Sequence, residues 1–176
     1  RLMPPVADAL DYAHRQGVLH RDIKPSNIII DTNSVPYLTD FGLARMAQLG
    51  DSTLSHDVLL GTPNYISPEQ AMGSSDLDNR TDLYSLGVVL YELLTGEPPF
   101  PGEDAVAIIG RHLSANPVAP SRHRPEVPAA LDRVVLDLLA KAPDDRPQSA
   151  AEARRAIVAG AAAADEPATA ENPLAG

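Results

Sequence analysis

The spacing of apolar residues along the chain predicts one helix, then a pair of short strands, then a mostly helical remainder. A helix is predicted over residues 1–16, where apolar side chains recur every three or four residues until Gly17 stops the pattern. Pro4 and Pro5 mean that this helix either starts or kinks there. Ile28–Asp31 and Pro36–Thr39 have the composition of short strands joined by a turn.

The second half of the chain has a helical pattern throughout. The run Leu83–Leu94 is apolar on almost every side, which predicts a buried helix. A shorter helix is predicted over Asp104–Leu113, an amphipathic one around Leu131–Leu139, and a last one from the capping box at Ser149 to about residue 160. We therefore predict a mainly α domain with a small β-hairpin over residues 1–160. Residues 161–176 are rich in Ala, Pro and acidic residues and are predicted to be a disordered tail or linker.

Composition excludes several classes of protein. The chain is 44% hydrophobic but only 4% aromatic, so its core must be mainly aliphatic. With 14 basic and 24 acidic residues the net charge is −10, which argues against a nucleic-acid partner and is better explained by solubility than by basic partners. The absence of Cys excludes disulfides and thiolate metal sites, and no apolar run reaches the roughly 18 residues of a membrane span.

Four histidines lie in polar or terminal contexts and are predicted to be solvated: His14, His56, His112 and His123.

The stretch from His20 to Asn27 carries the candidate chemistry. Pro25 restricts its own backbone and that of Lys24, which predicts a rigid loop ahead of the first strand. Such a loop can aim Asp22, Lys24 and Asn27 at one small volume, where an acceptor hydroxyl, a phosphoryl group and a divalent cation would use all three. Antiparallel pairing of the strands would also bring Asn27 beside Asp40. The hard oxygens of these two residues suit Mg²⁺.

These motifs resemble those of the eukaryotic-type Ser/Thr protein kinase family, in its bacterial form. His20–Asn27 matches the catalytic loop, Asp40–Gly42 matches the D-F-G motif, and Ser67–Glu69 resembles the A-P-E motif. The resemblance covers about residues 1–160 and implies a protein kinase-like fold, represented by its C-terminal lobe. It also implies transfer of the γ-phosphate of ATP, with Mg²⁺, to Ser or Thr hydroxyls of protein substrates.

The resemblance implies a role for each polar residue of the site. Asp22 would orient the substrate hydroxyl and accept its proton, while Lys24 would steady charge on the transferring group. Asn27 and Asp40 would hold Mg²⁺. The hydroxyl of Thr62 would bridge Asp22 and Lys24.

Residues 43–60 lack periodicity and are predicted from composition to be an exposed loop. By resemblance they form an activation loop, in which Thr53, or else Ser55, would accept a phosphate that Arg21 then binds. His20 lies between Leu19 and the charged loop and is predicted from that context to be a packed structural histidine. The resemblance implies further roles: Phe41 packed inward, Glu69 paired with Arg146, Asp82 bracing the catalytic loop, and Ile29 flooring the adenine site. From sequence alone, Asp82 could equally cap a helix and Ile29 could be an ordinary core strand residue.

The chain contains no Gly-rich phosphate loop and no Val-Ala-x-Lys strand, which belong to the N-terminal lobe of such kinases. The resemblance therefore implies that the missing lobe is a required partner, and that this chain alone binds ATP very weakly and transfers no phosphate. The alternative is a non-catalytic, kinase-like interaction module. We expect a cytoplasmic protein, either free or tethered through a membrane anchor outside this chain.

Overall fold

The structure is a computed structural model that describes residues 1–41 and 63–163. Within these residues the chain forms six α-helices and one β-hairpin. The predicted fold class, mainly α with a small hairpin, is confirmed. Short 3₁₀ turns lie at Pro25–Asn27, Pro120–Arg122 and Pro143–Asp145. The elements in chain order are α1 (Met3–Arg15), β1 (Ile28–Ile30), β2 (Pro36–Leu38), α2 (Pro68–Ala71), α3 (Asn79–Thr95), α4 (Ala105–Ser114), α5 (Ala129–Leu138) and α6 (Ala150–Ala162).

Helix α3 lies at the centre of the core and is buried on nearly every side, as its apolar composition predicts. It packs against α1, α5 and α6. Its N-cap is Asp78, whose side chain accepts a hydrogen bond from the backbone N–H of Arg80, and Gly96 ends it with a φ of 91°. At Gly87 a Cβ would lie 2.7 Å from the Cβ of Leu138, so the glycine allows α5 to approach closely.

The hairpin is antiparallel, and Ile28 pairs with Leu38. Asp31 closes its turn by accepting hydrogen bonds from the backbone N–H groups of Asn33 and Val35. Strand β2 packs against α1, and Ile28 and Leu38 lie against the core. The hairpin is thereby fixed to the helices at the point where the catalytic-loop stretch ends.

The two terminal helices pack against each other, with an ion pair of 2.8 Å between Arg154 and Asp8. Pro4 and Pro5 lie in the first turn of α1, so the helix begins there and does not kink. Helix α6 ends at Ala162, slightly beyond the predicted residue 160, and residues 164–176 of the predicted tail lie outside the described residues. No helix within 1–41 or 63–163 is both long enough and apolar enough to cross a bilayer.

Candidate active site

Asp82 fixes the backbone of the catalytic-loop stretch. Its fully buried carboxylate accepts hydrogen bonds from the backbone N–H of His20 at 2.9 Å and of Arg21 at 2.7 Å. The Nε2 of His14 lies 2.8 Å from the same carboxylate. Because the N-cap of α3 is Asp78, the simple capping interpretation of Asp82 is wrong. Its contacts instead hold Arg21 at a φ of 67°, in the left-handed region that a non-glycine residue seldom adopts.

His20 links the catalytic loop to the end of the hairpin. Its buried ring places Nε2 2.8 Å from the carbonyl oxygen of Thr39, while Nδ1 accepts a hydrogen bond of 3.3 Å from the backbone N–H of Asp22. A carbonyl can only accept, so the proton lies on Nε2. The ring also packs on Phe41, with centroids 4.7 Å apart. His20 is therefore packed inside the domain, as predicted.

Three polar side chains of the loop meet at one carboxylate oxygen. The Nζ of Lys24 lies 2.7 Å from the Oδ2 of Asp22, and the Nδ2 of Asn27 donates to the same oxygen at 3.1 Å. Asn27 also donates to the backbone oxygen of Asp22 at 2.7 Å. The side chains of Asp22 and Lys24 remain 45% and 38% exposed, so an incoming molecule can reach both groups. The loop thus presents an accessible carboxylate with an ammonium and an amide beside it.

The hairpin brings Asp40 to the same end of the site. Asn27 faces Thr39 across the pair, and the backbone N–H of Thr39 donates to the carbonyl of Asn27 at 2.9 Å. Asp40 follows one residue later, with a φ of 62°, and its Oδ2 lies 3.4 Å from the hydroxyl of Thr39. An amide oxygen and a carboxylate oxygen, as Asn27 and Asp40 carry, are ligand types that a hard cation such as Mg²⁺ takes together with water and phosphates, and the metal-binding role of these two residues stays a prediction.

Two apolar residues near the site are exposed to solvent in whole or in part. Ile29 is 56% exposed, so its interpretation as an ordinary core strand residue is wrong. Phe41 packs on His20 on one side but is 36% exposed on the other. Tyr37, which pairs with Ile29, is 53% exposed, and an apolar surface therefore borders the loop.

Helix α2 supports the catalytic loop from the other side. Ser67 caps it and accepts a hydrogen bond from the backbone N–H of Gln70, whose side-chain oxygen accepts one from the backbone of Ser67. The side-chain amide of Gln70 donates to the carbonyl of Arg21 at 2.8 Å. The left-handed Arg21 peptide is thus held by Asp82 on one side and by Gln70 on the other.

Glu69, in α2, forms the expected pair with Arg146, far along the chain. The guanidinium donates to both carboxylate oxygens, at 2.7 and 2.9 Å, and both residues are buried. Burial raises the pKa of Glu69, but hydrogen bonds from Arg146 and from the hydroxyl of Thr81 outweigh it and hold this pKa below its ordinary value. This pair fixes the segment that precedes α3 to the segment that precedes α6.

The predicted regulatory residues lie partly outside the described part of the chain. Thr53, Ser55 and Thr62 all fall between residues 42 and 62, as does His56. Their assigned roles, and the phosphate-binding role of the Arg21 side chain, stay predictions.

Two histidines that were predicted to be solvated are not, and this is a correction. His14 contacts Asp82, and His112 is fully buried with its Nδ1 2.9 Å from the hydroxyl of Tyr84. The signal was present in the helical spacing, because each histidine follows a buried apolar residue by four positions: Leu10 in α1 and Ile108 in α4. The prediction of solvated histidines relied instead on the polar residues next to them in the sequence.

Comparison with known proteins gives a family match over most of the chain. The protein kinase domain family matches residues 1–156. Among curated relatives, serine/threonine-protein kinase PknB of Mycolicibacterium smegmatis is 47% identical over 158 residues, which cover 89% of this chain and 25% of that protein. PknB of Mycobacterium tuberculosis is 46% identical over 162 residues, covering 90% of this chain and 26% of the relative. This chain thus spans about a quarter of the length of these relatives.

A solved structure gives the same result for the fold. The crystal structure of the Mycobacterium tuberculosis PknI kinase domain superposes with a TM-score of 0.67 at 34% identity. The match covers 90% of this chain and 52% of that one, which fits a chain built like one lobe of the kinase fold. This chain belongs to the protein kinase domain family, and its relatives are bacterial serine/threonine kinases.

Proposed function

We propose that this chain is the C-terminal lobe of a Ser/Thr protein kinase and supplies the residues that act on the substrate hydroxyl. The observation that supports this most directly is the convergence of Lys24 and Asn27 on one oxygen of the partly exposed Asp22 side chain. Phosphoryl transfer requires positioning and charge neutralisation, and this cluster offers both.

In the proposed reaction, the Asp22 carboxylate accepts the proton of a Ser or Thr hydroxyl as its oxygen attacks the γ-phosphorus of ATP. The bond between that phosphorus and the ADP oxygen breaks as the new bond forms. The Lys24 ammonium, 2.7 Å from Asp22, neutralises charge on the group in transit. Asn27 and Asp40 are proposed to hold Mg²⁺, which would neutralise the phosphate oxygens of the nucleotide.

The nucleotide site is proposed to require an N-terminal lobe placed over the hairpin. In support, Ile29 and Tyr37 pair on one face of the hairpin and are both exposed, at 56% and 53%. Exposed apolar surface of this kind is typical of a contact region. Ile29 is proposed to lie under the adenine ring in the assembled kinase.

Regulation is proposed to act through the segment between Asp40 and Ser67. A phosphate on Thr53 or Ser55 would bind the guanidinium of Arg21, whose backbone is already fixed by Asp82 and Gln70. Thr62 is proposed to bridge Asp22 and Lys24 when a substrate is bound.

The test joins this chain to the N-terminal lobe of the Mycolicibacterium smegmatis relative and measures phosphate transfer to a Ser/Thr-containing protein substrate. We expect transfer by the joined protein and none by the chain alone. Asp22→Asn in the joined protein should lower kcat by at least about a hundredfold, because the proton acceptor is lost. Asp137→Asn, at an exposed position, is the matched control and should leave kcat unchanged.

Two results would contradict the proposal. Folded, ATP-binding joined protein without transfer would favour the alternative of a non-catalytic interaction module. Autophosphorylation by the chain alone would show that the N-terminal lobe is not required. Tethering through a membrane segment outside this chain stays a prediction.

A further inference from the structure

Gln70 makes the one hydrogen bond, among residues 1–41 and 63–163, that joins the segment 63–72 to the catalytic loop, residues 20–27. Its Nε2 donates to the carbonyl of Arg21 at 2.8 Å, while its Oε1 accepts from the backbone N–H of Ser67 at 3.1 Å. A carbonyl only accepts and a backbone N–H only donates, so these partners fix which end of the amide faces each. One end of this side chain therefore serves its own helix, and the other serves the loop.

Helix α2 presents Gln70 from a segment that is fixed to buried residues at two points. The neighbouring Glu69 is bonded by the guanidinium of Arg146, and both of these residues are buried. Upstream, the carbonyl of Tyr65 accepts a hydrogen bond of 2.7 Å from the hydroxyl of Ser85 in α3. The position of the Gln70 amide is thus set independently of the loop that it contacts.

The carbonyl that Gln70 binds belongs to the peptide unit that leads into Asp22. The N–H of the same unit donates to the Nδ1 of His20, at a longer 3.3 Å. Asp82 holds the preceding peptide unit, through the backbone N–H of Arg21. The bond from Gln70 is therefore the shorter of the two that set the plane of the peptide next to Asp22, and with it the direction of the Asp22 side chain.

The carboxylate of Asp22 depends on that backbone for its position. In the described part of the chain it bonds only Lys24 and Asn27, which belong to the same loop, and its side chain is 45% exposed. A displacement of about 1 Å in a reacting group can cost about a hundredfold in rate. A small rotation of the peptide before Asp22 is therefore enough to affect proton transfer from a substrate hydroxyl.

We propose, on the basis of the function proposed above, that Gln70 is a positioning residue for phosphoryl transfer. Its amide fixes the plane of the Arg21–Asp22 peptide and so keeps the Asp22 carboxylate aimed at the substrate hydroxyl. Gln70 acts through this peptide and itself touches neither substrate nor nucleotide. The placement of Asp22 then depends on the segment that ends in α2, through which regulation is proposed to act.

Two substitutions separate this role from the capping of α2. In Gln70→Glu one oxygen still accepts from Ser67, because Glu is a usual partner in a capping box, but the other faces the carbonyl of Arg21 and repels it. Gln70→Met keeps the length of the side chain and loses both hydrogen bonds. Gln16→Glu makes the same chemical change at an exposed position and is the matched control.

The kinetic experiment uses the joined protein described above and measures phosphate transfer to a Ser/Thr-containing protein substrate. We expect kcat to fall at least about tenfold in both Gln70 variants, the effect of losing one hydrogen bond of ordinary strength. The KM for ATP should change less than about threefold, because the hydrogen bond of Gln70 ends at Arg21 and not at the proposed metal ligands. Gln16→Glu should have the parental kcat. Urea denaturation should show every variant folded under the assay conditions, so that unfolding does not explain a lower kcat.

Amide hydrogen exchange of the chain alone, resolved by NMR, tests the backbone position without any transfer. The N–H of Asp22 should exchange at least about tenfold faster in both Gln70 variants than in the parent chain or in Gln16→Glu. The N–H of Ser67 should stay protected in Gln70→Glu and lose protection in Gln70→Met.

A parental kcat in Gln70→Glu together with a loss in Gln70→Met would assign Gln70 to helix capping alone and overturn the proposal. A parental kcat in both variants, or unchanged exchange of the Asp22 amide in both, would overturn it as well. If the joined parent protein transfers no phosphate, the proposed function fails, and exchange at Asp22 then decides whether Gln70 sets this backbone.

Discussion

At the scale of single residues, Asp82 supports the backbone of the proposed site from within the core. Both of its oxygens accept hydrogen bonds from backbone N–H groups in the catalytic loop, and it has no contact with solvent. The left-handed backbone at Arg21 costs free energy, of the order of 1–3 kcal/mol, that the surrounding contacts must offset. The geometry of the loop is therefore fixed by a buried residue that lies 61 positions after Arg21 in the sequence.

Asp82→Asn tests this support. Asparagine keeps the shape of the side chain but replaces one acceptor oxygen with an NH₂ group. That NH₂ group would face the backbone N–H of either His20 or Arg21. Leaving a buried donor unsatisfied costs about 1–3 kcal/mol, so the free energy of unfolding, measured by urea denaturation, should fall by about that amount. The exposed variant Asp137→Asn should change it by less than about 0.5 kcal/mol. Equal effects of the two variants would show that the hydrogen bonds of Asp82 to the catalytic loop do not stabilise the domain.

The buried His112 should make the free energy of unfolding depend on pH in the acidic range. Burial, with the nearby Lys141 charge, lowers the pKa of His112 to about 4. Between pH 6.5 and 4 the unfolded state therefore binds more protons at this residue than the folded state, and the free energy of unfolding falls as the pH falls. The loss should be of the order of 3 kcal/mol across this window.

Urea denaturation at a series of pH values checks this. His112→Gln should be less stable than the parent chain at neutral pH but should lose less stability between pH 6.5 and 4. His123→Gln makes the same chemical change at an exposed position and should keep the parental slope. An unchanged slope in His112→Gln would contradict the assignment.

At the scale of elements, apolar periodicity predicted most helices to within a turn, because packing against the core requires that periodicity. The hairpin was also predictable, but its register was not: Asn27 faces Thr39, and Asp40 lies one residue further on. The start of α3 was misplaced, because its first turn is polar and still buried at Thr81 and Asp82. The contact between Asp82 and the catalytic loop joins distant residues, and no local pattern encodes it.

The contact between α3 and α5 can be tested at its closest point. In Gly87→Ala the new Cβ would lie 2.7 Å from the Cβ of Leu138, which forces the helices apart. We expect a loss of about 1–3 kcal/mol in the free energy of unfolding, despite the better helix propensity of alanine. Gly110→Ala in α4, where nothing lies within 4 Å of the new Cβ, should instead stabilise the domain by about 0.5–1 kcal/mol. Stabilisation by both substitutions, in urea denaturation, would refute the close approach.

At the scale of the whole molecule, Arg146 joins segments that are far apart in the chain. All five of its N–H groups are used: two on Glu69, and one each on the carbonyls of Arg80, Ala140 and Lys141. Its guanidinium also lies over the ring of Tyr84, 4.9 Å from the centroid. This residue therefore couples the support of the active site to the C-terminal helices.

A double-mutant cycle on this pair, read by urea denaturation, tests that coupling. Arg146→Met leaves the Glu69 carboxylate buried without its cation, which should cost about 3–5 kcal/mol. Glu69→Gln in the same chain removes the stranded charge, so the double variant should recover at least about 1 kcal/mol relative to the sum of the single changes. Arg124 pairs with Glu126 at the same 2.7 Å but more than half exposed, and Arg124→Met should cost less than about 1 kcal/mol. Simple additivity at Glu69 and Arg146 would mean that the buried pair does not couple the two segments.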